Sequence, residues 1–168
     1  GWRENDAAFR GIRATYLSID GGVTWTDVGG GPAIQSFVTS VASIGNNIVA
    51  VGSDGLITRS ANGGTAWTDV MPANTANASL GTVAGGNNVF VAAGGQGSIF
   101  RSADGGATWT QQPSGTTEDF RAIAYGNGKF IAITASGKVL ASADGTSWAS
   151  IGVGLTAFGP LQYRIQIA

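Results

Sequence analysis

A set of arginines, three tyrosines and two glutamates hold most of the chemical potential of this chain. Arg10, Arg13, Arg59, Arg101, Arg121 and Arg164 could clamp an anion, and Tyr16, Tyr125 or Tyr163 could supply a phenolic nucleophile beside Glu4 or Glu118. Cleavage of an acidic sugar needs such a set: cations on the carboxylate, a nucleophile and a carboxylic acid to move the proton. Spacing argues against it. Arg59 and Arg101 stand at the same place in a repeat, so they should point alike around the molecule and not converge. Glu4 sits in a polar N-terminal stretch, which leaves Glu118 alone. Serines are numerous, but without His a Ser-His-Asp triad cannot be built, and without His or Cys a soft metal has no ligands. Asp54-Gly55 and Asp104-Gly105-Gly106 lack the alternating carboxylates of a calcium loop. Gly94-Gly95-Gln96-Gly97 is followed by no Lys-Ser/Thr and reads as a turn, not a phosphate cradle. No catalytic residue, cofactor or metal is expected, and the chain reads as a non-enzyme.

Composition narrows the class further. A net charge of −1 with 11% charged residues provides no basic stripe for nucleic acid. The 28 glycines accompany 43% apolar residues, which points to many turns and not to disorder. There is no cysteine and hence no disulfide framework. No apolar run approaches the roughly 20 residues of a membrane span, and Gly1-Trp2-Arg3-Glu4-Asn5-Asp6 has no signal-peptide pattern. The only methionine is Met71, so the ends are read as those of a processed chain or a piece of a longer one. Low charge with abundant Gly, Thr, Ser and Asn is compatible with an exported or virion protein.

One stretch recurs and must organise everything else. Ser102-Ala103-Asp104-Gly105-Gly106-Ala107-Thr108-Trp109 has relatives in Ser18-Ile19-Asp20-Gly21-Gly22-Val23-Thr24-Trp25, in Ser60-Ala61-Asn62-Gly63-Gly64-Thr65-Ala66-Trp67, and in the shorter Ser142-Ala143-Asp144-Gly145-Thr146-Ser147-Trp148. The tryptophans are 42, 42 and 39 residues apart, a period that marks propeller blades. The expected fold is all-β: a β-propeller of about four Asp-box blades, with an arm at 1–8 and a propeller over 9–168. Its units are about 9–30, 31–71, 72–112 and 113–151, followed by a closing tail at 152–168. Each full unit predicts an inner strand (Val41-Ala42, Val83-Ala84, Ile123-Ala124) and a turn of Gly and Asn residues. An apolar second strand buried on both faces comes next, then a glycine turn, a third strand, the box, and an outer strand begun by the Trp. This pattern leaves no room for a helix. The first unit holds only the last two strands of a blade. Alternation of Leu161, Tyr163, Ile165 and Ile167 predicts that the tail supplies the missing ones, and 168 residues at 42 per blade gives four. A partial ring completed by another chain is the alternative.

The box is a structural device on physical grounds. An Asp before Gly-Gly accepts hydrogen bonds from the backbone of its own turn, and the glycines allow the tight path. Trp supplies buried area. Asn62 keeps the acceptor without the charge, which suits hydrogen bonding and not acid catalysis.

Ser-x-Asp-x-Gly-x-Thr-Trp resembles the Asp-box, or BNR repeat, of sialidase-like and related β-propellers. The Gly126–Ile133 segment with Ser142–Trp148 is similar to propeller units of bacteriophage virion proteins and bacterial surface proteins. The first likeness implies that Ser18, Asp20, Gly22 and Trp25, Ser60, Asn62, Gly64 and Trp67, Ser102, Asp104, Gly106 and Trp109, and Ser142, Asp144, Gly145 and Trp148 build peripheral hairpins. The second implies a non-catalytic structural or attachment module of a phage tail or capsid or a bacterial surface, located on a virion or outside the cell. It would bind other subunits, a protein receptor or a glycan through its blade loops, as a homo-oligomer where the ring is shared, with neither nucleic acid nor membrane insertion. Trp2, Tyr125 and Phe158, with the loops Pro72–Ser79 and Pro113–Asp119, are the candidate contacts. The alternative is a sialidase-like glycosidase or lectin, although Phe9-Arg10-Gly11-Ile12 lacks the proline of the sialidase Phe-Arg-Ile-Pro element. An assembly factor of the kind that Asp-box propellers provide in photosynthetic membranes ranks third, because the chain is short and lacks a basic surface.

Overall fold

A computed structural model describes residues 16–17, 22–27, 38–72 and 78–153. They form three four-stranded antiparallel sheets and one two-stranded sheet. The half-blade pairs β1 (Tyr16–Leu17) with β2 (Thr26–Asp27). Blade 2 contains β3 (Val38–Ile44), β4 (Asn47–Gly52), β5 (Ile57–Ser60) and β6 (Thr68–Asp69). Blade 3 contains β7 (Leu80–Gly86), β8 (Val89–Gly94), β9 (Ile99–Ser102) and β10 (Thr110–Gln112). Blade 4 contains β11 (Phe120–Gly126), β12 (Lys129–Thr134), β13 (Lys138–Ser142) and β14 (Ala149–Val153). Each full blade is a meander of sequence neighbours, as a propeller requires.

Local chemistry sets the turns. Asn87 and Asn88, and Asn127 and Gly128, have positive φ at both central positions of the first hairpin. That is the type I′ pattern, whose twist matches paired strands. Every inner strand carries a register shift near its start, at Val38/Ser40, Leu80/Thr82 and Phe120/Ala122. The turn after the second strand is a single 3-10 turn in blades 2 and 3, Ser53–Gly55 and Gly95–Gly97. These two turns are the helical structure that the strand pattern did not foresee. They need Asp54 and Gln96 at φ 55° and 54°, ahead of a glycine that ends the turn. The half-blade pairs Leu17 with Thr26 as blade 2 pairs Arg59 with Thr68, so β1 and β2 are the third and outer strands of a blade. Trp2, Ser18, Asp20, Phe158 and the tail from 154 onward lie outside the described residues, and with them the expected closure.

No sheet holds its own core; the apolar side chains meet between sheets. Val49, Val51 and Ile57 of blade 2 pack with Leu80, Val83, Phe90, Phe100 and Trp109 of blade 3. Val91, Ala93 and Ile99 of blade 3 pack with Phe120, Ile123, Phe130 and Leu140 of blade 4. Successive side chains on a strand point to opposite faces, so a sheet between two others must be apolar throughout. Strand β8 fits that expectation, buried at all six positions. Strand β12 departs from it: Phe130, Ala132 and Thr134 are buried, whereas Ile131 and Ile133 are half-buried on the face away from blade 3. Gly85 and Gly86 let the neighbours approach from both sides of blade 3. A Cβ would stand 2.9 Å from Ile44 at Gly85 and 2.0 Å from the Tyr125 ring at Gly86.

Candidate functional site

The boxes come first, since they carry most of the candidate residues. In blade 3, Ser102 Oγ donates to Asp104 at 2.7 Å and accepts from the Gly106 amide at 2.9 Å. Asp104 Oδ1 accepts from the amides of Ala107 at 3.0 Å and Thr108 at 2.9 Å, and Oδ2 accepts from the Thr108 hydroxyl at 2.5 Å. Burial pushes the Asp104 carboxyl pKa upward, but the bonds from Thr108, Ser102 and Ala107 outweigh it and hold the group at about 2. Trp109 is 7% exposed and its indole N–H donates to the Gly106 carbonyl at 3.0 Å. In blade 2, Asn62 accepts from Ser60 Oγ at 2.9 Å and the Ala66 amide at 2.9 Å, and Trp67 bonds the Gly64 carbonyl at 3.0 Å. In the half-blade, Trp25 bonds Gly22 at 3.1 Å but stays 62% exposed. In the shorter blade 4 box, Asp144 accepts from the Thr146 amide at 2.9 Å and hydroxyl at 2.7 Å, which lowers its pKa, while Ser142 Oγ holds the Gly145 amide at 2.8 Å. There the Trp148 indole nitrogen is buried without a hydrogen-bond partner.

The arginines beside the boxes do not converge on a ligand. Arg59 Nε donates to the Gly105 carbonyl in the next blade at 2.7 Å, and its Nη2 donates to Asn47 at 2.8 Å. Arg101 repeats the first contact, donating to the Asp144 carbonyl at 2.7 Å. Beneath them, the second strand of each blade touches the next box: a Cβ on Gly106 would meet Val49 at 2.6 Å, and one on Gly145 would meet Val91 at 2.7 Å. At the inner end, Ser40 Oγ accepts from the Val83 amide and Thr82 Oγ1 from the Ile123 amide, each at 3.2 Å. Thr39 Oγ1 donates to the Leu80 carbonyl at 2.7 Å. The repeated polar residues are spent on hairpins and on seams between blades.

Of the candidate contacts outside the repeat, the loop Pro113–Asp119 lies at the opposite end of the strands, where blade 3 passes into blade 4. An open groove of about 640 Å³ is lined there by residues 111–118 and Gly97, with Gln111, Gln112, Thr117 and Glu118 among them. Its walls are fixed by turn chemistry and are not a loose loop. Ser114 Oγ donates to the Thr116 carbonyl at 3.0 Å, Thr116 Oγ1 accepts from the Glu118 amide at 3.1 Å, and Asp119 Oδ1 accepts from the Gln96 amide of blade 3 at 2.9 Å. The Glu118 carboxylate takes the Ser136 hydroxyl in a short bond, and the hydroxyls of Ser136 and Thr134 lower its pKa. Tyr125 is not at this groove. Its ring lies over Gly86 and packs on Phe130, with centroids 4.8 Å apart. Among the described residues no group of three His, Cys, Asp or Glu could hold a metal, and no helix is long and apolar enough to cross a membrane.

Blades stacked through their cores and closed by Asp-box hairpins define this chain as a β-propeller of the Asp-box, or BNR, class. Residues 4–151 match the family model described as photosynthesis system II assembly factor YCF48, so the chain belongs to that family. Among solved structures it is similar to a YCF48 bound to D1 peptide, with 21% identity and a TM-score of 0.63 over 71% of this chain and 40% of that one. A YCF48 from Cyanidioschyzon merolae gives 18% identity and the same score over 74% and 42%. An ancestral GH74 enzyme shares the fold at 21% identity and TM-score 0.58, covering 79% of this chain and 20% of that one. The chain thus spans about two fifths of the YCF48 structures it resembles. No curated protein matches it.

The family overturns three expectations together. The phage or bacterial-surface attachment role, the sialidase-like or lectin alternative, and the virion or cell-surface location do not agree with a family described as a photosystem II assembly factor. The physical reason is that the box serves the fold of every propeller that carries it and says nothing of the ligand. Short length is no argument against that family, because the chain spans only about two fifths of its solved relatives.

Proposed function

We propose that this chain is a non-catalytic, protein-binding propeller that serves the assembly of a photosynthetic membrane complex by holding an extended segment of a partner polypeptide. Family membership over residues 4–151 carries the reading, and the D1 peptide bound to a solved relative supports the ligand class. The groove at the junction of blades 3 and 4 suits such a ligand. It is shallow and open, and its lining is held in place by Ser114 and Thr116, with Asp119 tying the adjoining loop to Gln96, so little order is lost on binding. The Gln112 side-chain amide donates to Thr110 Oγ1 at 2.9 Å, which holds it in place at the groove as an acceptor for an extended backbone. Glu118, kept ionised by Ser136 and Thr134, adds one negative charge at the rim. The test is a fluorescence-anisotropy titration of the purified chain with the D1 peptide of the solved complex. Saturable binding, weakened by Gln112→Ala and by Glu118→Gln, is expected. A folded chain that leaves the peptide free would overturn the reading, and hydrolysis of chromogenic glycosides would overturn its non-catalytic part.

A further inference from the structure

The side chains fixed at the groove between blades 3 and 4 turn acceptors toward a ligand. Gln112 Nε2 is taken by Thr110, by its hydroxyl at 2.9 Å and its carbonyl at 3.4 Å, which leaves the amide oxygen as the end on offer. The Ser114 hydroxyl is spent, donating to the Thr116 carbonyl at 3.0 Å and accepting from the Thr116 amide at 3.3 Å. Glu118, an acceptor alone when ionised, is the one charged side chain among the described residues lining the groove. No aromatic side chain lies among them, so a bulky apolar residue finds no seat there. Glu118 is also anchored from blade 4: its Oε2 accepts from the Ser136 amide at 3.3 Å and from the Ser136 hydroxyl. A glutamine could hold that turn through its amide oxygen, as Asn62 holds Ser60 in box 2. The negative charge is therefore surplus to the turn. The Ser136 and Thr134 hydroxyls do most to keep it ionised, and Lys138 does least, as a charge and not as a bonded partner.

We propose that the groove selects an extended segment carrying a lysine or arginine, whose N–H groups are taken by the Glu118 carboxylate while the Gln112 oxygen receives a backbone amide beside it. The inference rests on the peptide-holding reading above and adds the sequence feature that the groove would choose. A cationic side chain supplies the donors that the fixed lining lacks, and its charge meets the one charge left uncancelled there. A glutamate or aspartate at the same place in the segment would face a carboxylate that cannot swing away, because Ser136 holds it. A charge at the rim of an open groove acts more on the choice of partner than on total affinity, so the effect is a preference and not an on–off switch.

A substitution scan of the D1 peptide, read by fluorescence anisotropy on the whole chain, tests it. Each peptide position is made Lys, Arg, Gln and Glu in turn. At one position Lys and Arg should bind about fivefold tighter than Gln, and Glu weaker than Gln. On the wild-type chain that preference should shrink as salt cuts the Debye length from about 30 to about 8 Å. Glu118→Gln keeps an acceptor for Ser136 and should erase the preference while leaving the Gln peptide's affinity unchanged. Glu118→Lys should reverse it, so that the Glu peptide binds best, with circular dichroism confirming the fold of both variants. A scan in which peptides bind with no position favouring a cation overturns the inference and leaves the peptide-holding reading standing. So does a preference that persists in Glu118→Gln or that salt does not touch. If neither the parent peptide nor any member of the scan binds, the peptide-holding reading falls, and this inference with it.

Discussion

The boxes of blades 3 and 4 do the same job with one residue's difference, and the difference separates two duties of the motif. In blade 3 the Gly-Gly turn lets Asp104 gather two amides and a hydroxyl while the Trp109 indole reaches the Gly106 carbonyl. In blade 4 a glycine is missing. Asp144 still collects the Thr146 amide and hydroxyl, but the Trp148 nitrogen is buried and unpaired. Holding the turn needs only the acceptor; orienting the indole needs the full-length loop.

Substitutions can break that comparison, the largest first. Trp109→Ala should cost about 3–5 kcal/mol in urea unfolding, whereas Trp25→Ala, at an exposed site, should cost no more than about 0.5 kcal/mol. Gly106→Ala combines a φ of +88° with a 2.6 Å approach to Val49 and should cost about 2–4 kcal/mol. Gly63→Ala, with φ +70° and open space around it, should cost about 1–2 kcal/mol. Arg59→Ala should cost about 1–3 kcal/mol, and more than Arg101→Ala, because Arg59 also holds Asn47. A double-mutant cycle of Arg59→Ala with Asn47→Ala reads that extra coupling directly.

Two smaller effects sharpen it. The Asp104 pKa falls from 3.8 to about 2 on folding, so its contribution is complete above pH 3.8 and disappears as pH falls through about 2. Because the carboxylate is solvent-exposed, that contribution should be under about 1 kcal/mol. Asp104→Asn, which makes box 3 resemble box 2, should flatten the loss of Tm between pH 4 and 2, which a thermal melt series would reveal. Trp148→Phe should be neutral or stabilise by up to about 1 kcal/mol, since it removes an orphaned donor, while Trp109→Phe should destabilise by about 1 kcal/mol. Equal signs for the two would refute the division of duties.

What was legible follows from how far apart interacting residues lie. Box hairpins close within a few residues, so Ser102, Asp104 and Trp109 announce themselves, and alternation set the strands. The seams join residues 41–46 positions apart, such as Thr82 with Ile123 and Arg59 with Gly105. Their only trace is the recurrence of Ser or Thr at 40 and 82 and of Arg at 59 and 101. Gly85 and Gly86 gave no sign, because the need for glycine comes from Ile44 and Tyr125 on other blades. The groove was visible as a polar loop at Pro113–Asp119, but the Glu118–Ser136 bond was not, for neither residue recurs in the repeat.

Because the apolar interior belongs to the contacts between sheets, one repeat cut free would have nothing to bury itself against. Folding needs neighbours on both sides, and stability should climb with each added repeat by the worth of one junction.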